Sequence, residues 1–260
     1  MTTVASRGRA ALDEIGEFFL FVLDVLASFR RRPFRWDEAV QQGWTLASVV
    51  IIPTALVSIP LGAVVALQIG SLTQQLGAQS FAGATSVVAI VREGAPIATA
   101  LLLAGAGGSA ICADFGSRTI REEIDALKVL GVNINARLVL PRLVAAMVVG
   151  VLVTGFVMGV GIAGGYFFNV VLQGGTSGVY VESFKTLATI PDLASALAKG
   201  MVFGAIAALV GSFKGLRVKG GPKGVGDAVN ETVVMTFLLL FTVNYVMTTA
   251  YLQLFPQGTR

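Results

Sequence analysis

Long hydrophobic segments dominate the chain and alternate with short segments that carry most of the charges. No Asp, Glu, Lys or Arg occurs in three stretches: between Glu38 and Arg92, between Arg142 and Glu182, and between Glu231 and Arg260. A helix needs about 20 apolar residues to cross the hydrocarbon core of a bilayer. The pattern therefore predicts about five membrane-spanning helices, at Leu46–Ile69, Gly94–Phe115, Leu143–Phe168, Leu193–Phe213 and Val233–Leu254.

Prolines and one short segment modify this pattern. Pro53 and Pro60 predict bends in the first span, because proline removes a helical hydrogen bond. Pro96 suits the first turn of the second span. The neutral segment Phe81–Val91 is too short to cross a bilayer, so we expect a half-helix or an interfacial segment there.

The N-terminal residues 1–44 predict an amphipathic helix on the membrane surface. Apolar residues recur there at three- and four-residue steps, and they are Leu12, Ile15, Phe19, Val22, Leu26 and Phe29. Such a stripe favours a helix lying in the interface with its apolar face toward the acyl chains. The basic and aromatic segment Arg30–Trp36 then predicts an elbow at headgroup level. A soluble helix packed on a partner remains the alternative.

The distribution of basic residues predicts the orientation. Of the 19 lysines and arginines, 15 lie in the N-terminal segment and in the connections that follow the second and fourth spans. Because cytoplasmic loops are enriched in Lys and Arg, we expect a multi-pass protein of the cytoplasmic (inner) membrane, with its N-terminus cytoplasmic and its C-terminus outside. The same clustering explains the net charge of +4 without a nucleic-acid partner.

Composition excludes several kinds of chemistry. Of the residues, 55% are hydrophobic and 13% are charged, where soluble proteins have roughly a quarter charged. The chain contains one cysteine and no histidine, which excludes an internal disulfide, histidine catalysis and histidine metal ligands. It also lacks the G-x-x-x-x-G-K-[ST] phosphate loop. We therefore predict neither catalytic residues nor a metal or cofactor in this chain.

The segment from Ser117 to Gly131, between the second and third spans, predicts a short amphipathic helix at about 118–131. Thr119 and Glu122 have the spacing of a capping box, and Gly131 suits a helix stop. One face of this helix would carry the apolar residues Ile120, Ile124 and Leu127. The other face would carry the charged residues Arg121, Asp125 and Lys128, with Arg121 and Asp125 placed to pair. Such a helix would transmit force from a cytoplasmic partner, or it would be an inert connector.

Charged residues within the apolar segments are further candidates. Lys199 lies inside the fourth span, where a lysine costs about 2.5–3.5 kcal/mol on insertion scales. It should therefore face a wet cavity or a carboxylate, with Glu93, Glu182 or Asp192 as possible partners; snorkelling to the interface is the alternative. We expect Asp114 to neutralise Arg118. Glycine pairs at small-xxx-small spacing predict close helix contacts, within the chain or between subunits, at Gly155/Gly159, Gly161/Gly165 and Gly200/Gly204.

Several motifs together resemble the permease family of MlaE and YrbE. They are Arg92-Glu93-Gly94-Ala95-Pro96, the segments 103–110 and 113–116, Glu123–Asn133 (EIDALKVLGVN), Leu140-Pro141-Arg142, and the loop at 219–226 with Asn230-Glu231-Thr232. The likeness covers about residues 45–250 and is greatest to the actinobacterial YrbE branch of Mce systems. In two respects the chain departs from the family, because it has Ala106 where relatives commonly have Arg, and Glu93-Gly94-Ala95-Pro96 where they often have Glu-x-Gly-Pro.

The resemblance implies the permease subunit of an ATP-driven lipid transporter, importing hydrophobic lipids such as fatty acids or sterols. Its partners would be a paralogous permease subunit (or a second copy), a cytoplasmic ABC ATPase that binds ATP and Mg, and MCE-domain proteins on the outer side. The ATPase-coupling residues would be Glu122, Glu123, Asp125, Leu127, Lys128 and Gly131. The lipid cavity would be lined by Leu61, Val65, Gln68, Glu93, Lys199 and Tyr245.

Two other classes of function remain open from the residues alone. A secondary transporter would need coupling carboxylates near the membrane midplane and is often built from inverted repeats, and neither feature is evident. A non-transport membrane scaffold, or an intramembrane enzyme that uses no histidine, is the other alternative.

Overall fold

Helices account for the architecture of the chain. The computed structural model describes residues 2–29, 35–77, 81–172, 174, 176–178, 180–182 and 189–255. It is 91% helical, and no strand occurs in this part of the chain. Five helices are long and apolar enough to cross a membrane: Trp36–Thr73, Thr85–Ile120, Asn135–Leu172, Ile190–Gly215 and Gly221–Leu254. The predicted all-α, multi-pass membrane fold is confirmed.

Several spans combine α-helical and π-helical segments. The α-helices are α1 (Thr2–Ser28), α2 (Trp36–Gln75), α3 (Ala82–Ala89), α4 (Ala95–Leu102), α5 (Ser109–Ile120), α6 (Glu123–Val129), α7 (Leu140–Tyr166), α8 (Ile190–Gly215) and α9 (Gly221–Leu254). The π-helical segments are Ile90–Gly94, Leu103–Gly108, Asn135–Val139 and Phe167–Leu172. α2 continues through both of its prolines.

The second span is longer than the sequence predicts. The segment Phe81–Val91 is not a separate half-helix, because α3 runs through the π-helical turn Ile90–Gly94 directly into α4. The span therefore covers Thr85–Ile120. Arg92 and Glu93 lie within this long helix, seven and eight residues from Thr85.

The first span also begins earlier than predicted. α2 starts at Trp36 rather than near Leu46, and the acidic residues of its first turn suit the positive end of the helix dipole. The predicted elbow is thus shorter on its C-terminal side. Its residues 30–34 lie outside the described part of the chain.

The N-terminal helix α1 packs against the end of α8. Phe18 and Phe21 contact the ring of Phe213 at centroid distances of 5.3 and 5.6 Å, and ion pairs join Glu14 to Lys214 and Glu17 to Arg217. The opposite face of α1 exposes Ile15, Phe19, Leu23 and Leu26. Lipid contact for this apolar face remains a prediction. We call the end of the bundle where α1, α6 and residues 216–220 meet the basic end.

Glycines bring α7 and α8 into close contact. A Cβ atom at Gly150, Gly200 or Gly204 would overlap backbone or side-chain atoms of the facing helix. Gly161 similarly faces Gly62, where a Cβ would lie 2.9 Å from the Gly161 Cα. By contrast, Gly155 and Gly159 have open space beside them. Packing within the chain therefore explains two of the three predicted glycine pairs.

This difference between glycines gives the first prediction. Gly204→Ala places a methyl group against the backbone of Ala146 on α7, and overpacking of this kind costs about 1–3 kcal/mol. We expect a lower apparent melting temperature in detergent, measured by the loss of the monodisperse gel-filtration peak on heating. Gly155→Ala is the matched control and should leave the melting temperature unchanged. Equal effects of the two substitutions would contradict the proposed helix contact.

Candidate functional site

A cluster of charged and polar side chains lies inside the bundle, away from the basic end. It joins the π-helical turn Ile90–Gly94 of the second span to α8 and α9. Lys199 lies about 14 Å along α8 from its first residue, at 1.5 Å per residue, and is therefore well inside the apolar span. Single π-helical turns within α-helices are often found at functional sites. The cluster consists of two connected ion pairs.

The first ion pair joins Arg92 to Asp192. The Arg92 Nε and Nη2 atoms donate to the two carboxylate oxygens at 2.7 and 3.2 Å. Asp192 also accepts hydrogen bonds from the hydroxyl groups of Thr189 at 2.6 Å and Tyr251 at 2.5 Å. Because Asp192 and the backbone N–H of Thr189 also form a capping box, the carboxylate both begins α8 and neutralises the arginine.

The second ion pair joins Lys199 to Glu93. The Lys199 Nζ atom lies 3.5 Å from the Glu93 Oε1 atom and donates to the backbone carbonyl of Arg92 at 3.0 Å. It also donates to the Thr248 hydroxyl at 2.7 Å. Thr248 in turn donates to Glu93 at 3.0 Å. Of the three candidate partners predicted for Lys199, Glu93 is the one it contacts.

The two ion pairs differ in exposure. The Lys199 side chain is 3% exposed and Glu93 is 42% exposed, so the carboxylate is the accessible member of its pair. The four charges of the cluster sum to zero, which limits the desolvation penalty that isolated charges pay in a medium of low dielectric constant. A polar ligand group that approaches the chain at this level meets Glu93 first.

Helix α9 contributes polar residues that the sequence analysis missed. Asn244 donates to Glu93 at 3.4 Å, and Thr248 and Tyr251 bind the two carboxylates as described above. These three residues recur at four- and three-residue steps, which places them on one helix face. Polar side chains at that spacing in an otherwise apolar span are a signal that could have identified this face.

The remaining residues predicted to line a lipid cavity differ in their exposure. Leu61 is half-buried and packs beside the core, near Gly94 of the second span. Val65 is also half-buried, whereas Gln68 and Tyr245 are exposed. Their role in binding lipid stays a prediction.

The predicted coupling segment forms helix α6, but it begins in a different way. Thr119 donates to the Phe115 and Gly215 carbonyls, and the N-cap residue Glu122 has a positive φ of 59° and no side-chain cap. The predicted capping box is therefore wrong. Thr119 and Glu122 have the spacing of a capping box, but Thr119 belongs to α5. Its hydrogen bond to the Gly215 carbonyl holds α5 against α8. Gly131, with φ of 73°, provides the predicted stop.

The charge pairs of this segment also differ from the prediction. Arg121 pairs with Glu123 at 2.9 Å, and Asp125 pairs with Lys128 at 2.8 Å. The predicted pairing of Arg121 with Asp125 is not formed, because α5 ends at Ile120 and the two residues do not share one continuous helix. By contrast, the predicted pair of Asp114 with Arg118 is present at 3.3 Å.

The tip of α6 exposes apolar residues that the sequence analysis did not select. Ile124 is buried against the core, which anchors the helix. Val129 and Leu130 at the other end are 89% and 76% exposed, with the exposed Lys128 beside them. A fixed helix with an apolar tip is suited to insertion into a groove of another protein.

Comparisons with known proteins identify the family. The family model of the permease MlaE matches residues 39–250. The chain belongs to the MlaE permease family. It is 32% identical over 185 residues to a probable ABC transporter permease of Synechocystis sp., covering 71% of this chain and 70% of that protein. It is 29% identical over 247 residues to a probable ABC transporter permease of Rickettsia bellii, covering 95% of each.

A plant protein is also related. The chain is 30% identical over 179 residues to the chloroplastic protein TRIGALACTOSYLDIACYLGLYCEROL 1 of Arabidopsis thaliana, covering 69% of this chain and 51% of that protein. The chain is thus the membrane subunit of an ABC transporter. This family membership implies a partner ATPase and a dimeric arrangement of permease subunits.

The ion-pair geometry predicts unequal effects on stability. Asp192→Asn removes the buried negative charge that neutralises the half-buried Arg92, and breaking a buried pair costs about 3–5 kcal/mol. Asp37→Asn alters the exposed ion pair with Arg35 and should cost no more than about 1 kcal/mol. We therefore expect a much larger fall in apparent melting temperature for Asp192→Asn. Comparable decreases would show that the Arg92–Asp192 pair is not the main structural link.

Proposed function

We propose that this chain is the permease subunit of an ATP-driven importer of hydrophobic lipids such as fatty acids or sterols, working with MCE-domain proteins outside the membrane. The observation that carries this proposal is the cluster formed by Glu93 and Lys199. The cluster places the accessible carboxylate of Glu93 within an apolar span, and the buried Lys199 balances its charge. Such a group can orient the polar end of a lipid whose apolar part contacts the surrounding span.

A paired subunit would complete the cavity. α9 and α2 are the spans with the least burial, with 17% and 28% of their most apolar windows buried, against 61% for the second span. Tyr245 on α9 and Gln68 on α2 lie on these open helices. We propose that α2 and α9 face a paralogous permease subunit, or a second copy, and that the lipid binds between them.

The name of one relative supports lipid as the substrate class. The Arabidopsis relative carries the name of a galactolipid, trigalactosyldiacylglycerol. The motifs of this chain resemble the YrbE branch of the family, in which the partners include MCE-domain proteins. Both points support the proposal by similarity.

The basic end would face the cytoplasm and receive the ATPase. α1, α6 and residues 216–220 meet there, so that three basic segments share one face, as the positive-inside bias requires of a cytoplasmic surface. We propose that the ATPase binds α6 through Val129 and Leu130, with Glu122, Glu123, Asp125, Leu127, Lys128 and Gly131 setting its position. ATP and Mg would be bound by that partner.

Lipid transport tests the first part of the proposal. The complex purified with its ATPase is reconstituted in vesicles, and ATP-dependent transfer of labelled palmitate and cholesterol is measured. Glu93→Gln should lower the rate for cholesterol about tenfold or more, the equivalent of losing the charge-assisted hydrogen bond that its hydroxyl donates to the carboxylate. Glu182→Gln, an exposed acidic control, should not. Transfer that proceeds equally without ATP would favour a secondary transporter, and no transfer of any lipid would favour a scaffold.

ATPase binding tests the second part. Leu130→Arg places a charge at the apolar tip of α6 and should abolish co-purification of the ATPase, because burial of a charge in an apolar groove is unfavourable. Leu130→Met keeps the tip apolar and should retain the ATPase. Full retention by Leu130→Arg, with normal lipid transfer, would remove α6 as the coupling element.

A further inference from the structure

A second cavity lies at the basic end, apart from the cluster around Glu93 and Lys199. It has a volume of about 300 Å³ and lies between α2, α5 and α7. Gln42, Asp114, Arg118 and Arg142 form its polar side. Val49 and Ala110 belong to its apolar side. The volume is at the lower limit of small-molecule binding sites.

Arg142 is buried at this cavity with unused hydrogen-bonding capacity. The residue is 4% exposed. Its Nε atom donates to the Gln42 Oε1 atom at 3.1 Å, its Nη2 atom contacts Asp114, and its guanidinium carbon lies 4.0 Å from the centroid of the Phe115 ring. Its Nη1 atom has no hydrogen-bond partner within the described residues. Buried unsatisfied donors are rare in native proteins and call for a missing partner.

The charges at the cavity favour an anionic partner. Arg118 and Arg142 share the single carboxylate of Asp114, with the Arg118 Nε atom at 3.3 Å. The lining therefore carries one net positive charge. Glu38 on α2 is outside the lining; it lies 3.8 Å from Arg35 and also interacts electrostatically with Arg142. A monoanionic group would neutralise the excess charge and accept hydrogen bonds from guanidinium donors, which suit phosphate geometry.

The depth of the cavity matches the lipid headgroups. The first three spans contain 36 to 38 residues, about 55 Å at 1.5 Å per residue, whereas the hydrocarbon core is about 30 Å thick. Gln42, Asp114 and Arg142 each lie six or seven residues from the basic end of their spans. They are thus about 10 Å from these ends, in the zone where headgroups meet acyl chains.

The apolar side of the cavity adjoins a surface suited to acyl chains. Val49 is exposed on α2, and Ile52, nearly one turn further from the basic end, is exposed as well. An acyl chain that continues from the cavity along α2 would cover these residues. A free inorganic anion would leave them uncovered, so the combination of charge and apolar surface favours a lipid.

We propose that this cavity binds the phosphate of an anionic phospholipid in the leaflet at the basic end, with Arg142 and Arg118 as the recognising residues. The site is separate from the proposed transport cavity and rests only on the chain spanning a membrane. Its bound lipid would tie α2, α5 and α7 together just beside the segment that leads to α6.

Lipid titration monitored by native mass spectrometry tests this site. The full-length protein in dodecyl maltoside is titrated with phosphatidylglycerol, with digalactosyldiacylglycerol of the same acyl chains, or with inorganic phosphate. Arg142→Gln should weaken binding of the most tightly bound phosphatidylglycerol molecule about tenfold or more. Ala110→Leu, which fills the cavity and keeps every charge, should do the same. Arg137→Gln, an exposed arginine on the same span, should bind as the wild-type chain does.

The other outcomes overturn the proposal. Unchanged phosphatidylglycerol binding by Ala110→Leu would exclude the cavity even if Arg142→Gln fails to fold. If the galactolipid binds as tightly as phosphatidylglycerol, and Ala110→Leu weakens its binding as well, then the cavity does not recognise phosphate. Displacement of phosphatidylglycerol by millimolar-range inorganic phosphate would identify a free anion as the occupant.

Discussion

Charge neutralisation within the apolar bundle is the constraint on which the structure depends. Arg92 and Glu93 are adjacent in sequence on the second span, and their partners on α8 are buried, where a charge without a counter-charge is costly. Asp192 and Lys199 on α8 are these partners, and α9 adds the hydroxyl groups of Thr248 and Tyr251. The second, fourth and fifth spans are therefore held at one level by the same contacts that form the proposed site.

Close helix packing provides the rigid frame around this cluster. Without a hydrophobic driving force between helices in lipid, association depends on van der Waals contact and interhelical hydrogen bonds. The contact of Gly150 with Gly200 brings α7 against α8, and Gly62 and Gly161 bring α2 against α7. Thr154 also donates to Thr99 at 3.1 Å, which joins the second and third spans. The open surfaces of α2 and α9 remain for a partner.

The basic end combines two kinds of contact that suit a moving transporter. α6 is anchored by buried Ile124 and presents an exposed apolar tip, so that a force applied at the tip reaches the core through one short helix. α1 is held there by aromatic contacts with Phe213 and by ion pairs. The cavity around Arg142 lies at the start of the same segment, where a bound lipid would stabilise the ends of three spans.

The sequence by itself determined the elements whose information is local. Hydropathy predicted the five spans, and the distribution of basic residues predicted that three segments lie at one end, because both depend on composition. Gly131 predicted the end of α6, because glycine favours the backbone conformation found there. The sequence failed where a residue's state depends on partners distant in the chain. Only the tertiary structure showed that Asp192 neutralises Arg92 and that Thr119 binds Gly215 instead of capping α6.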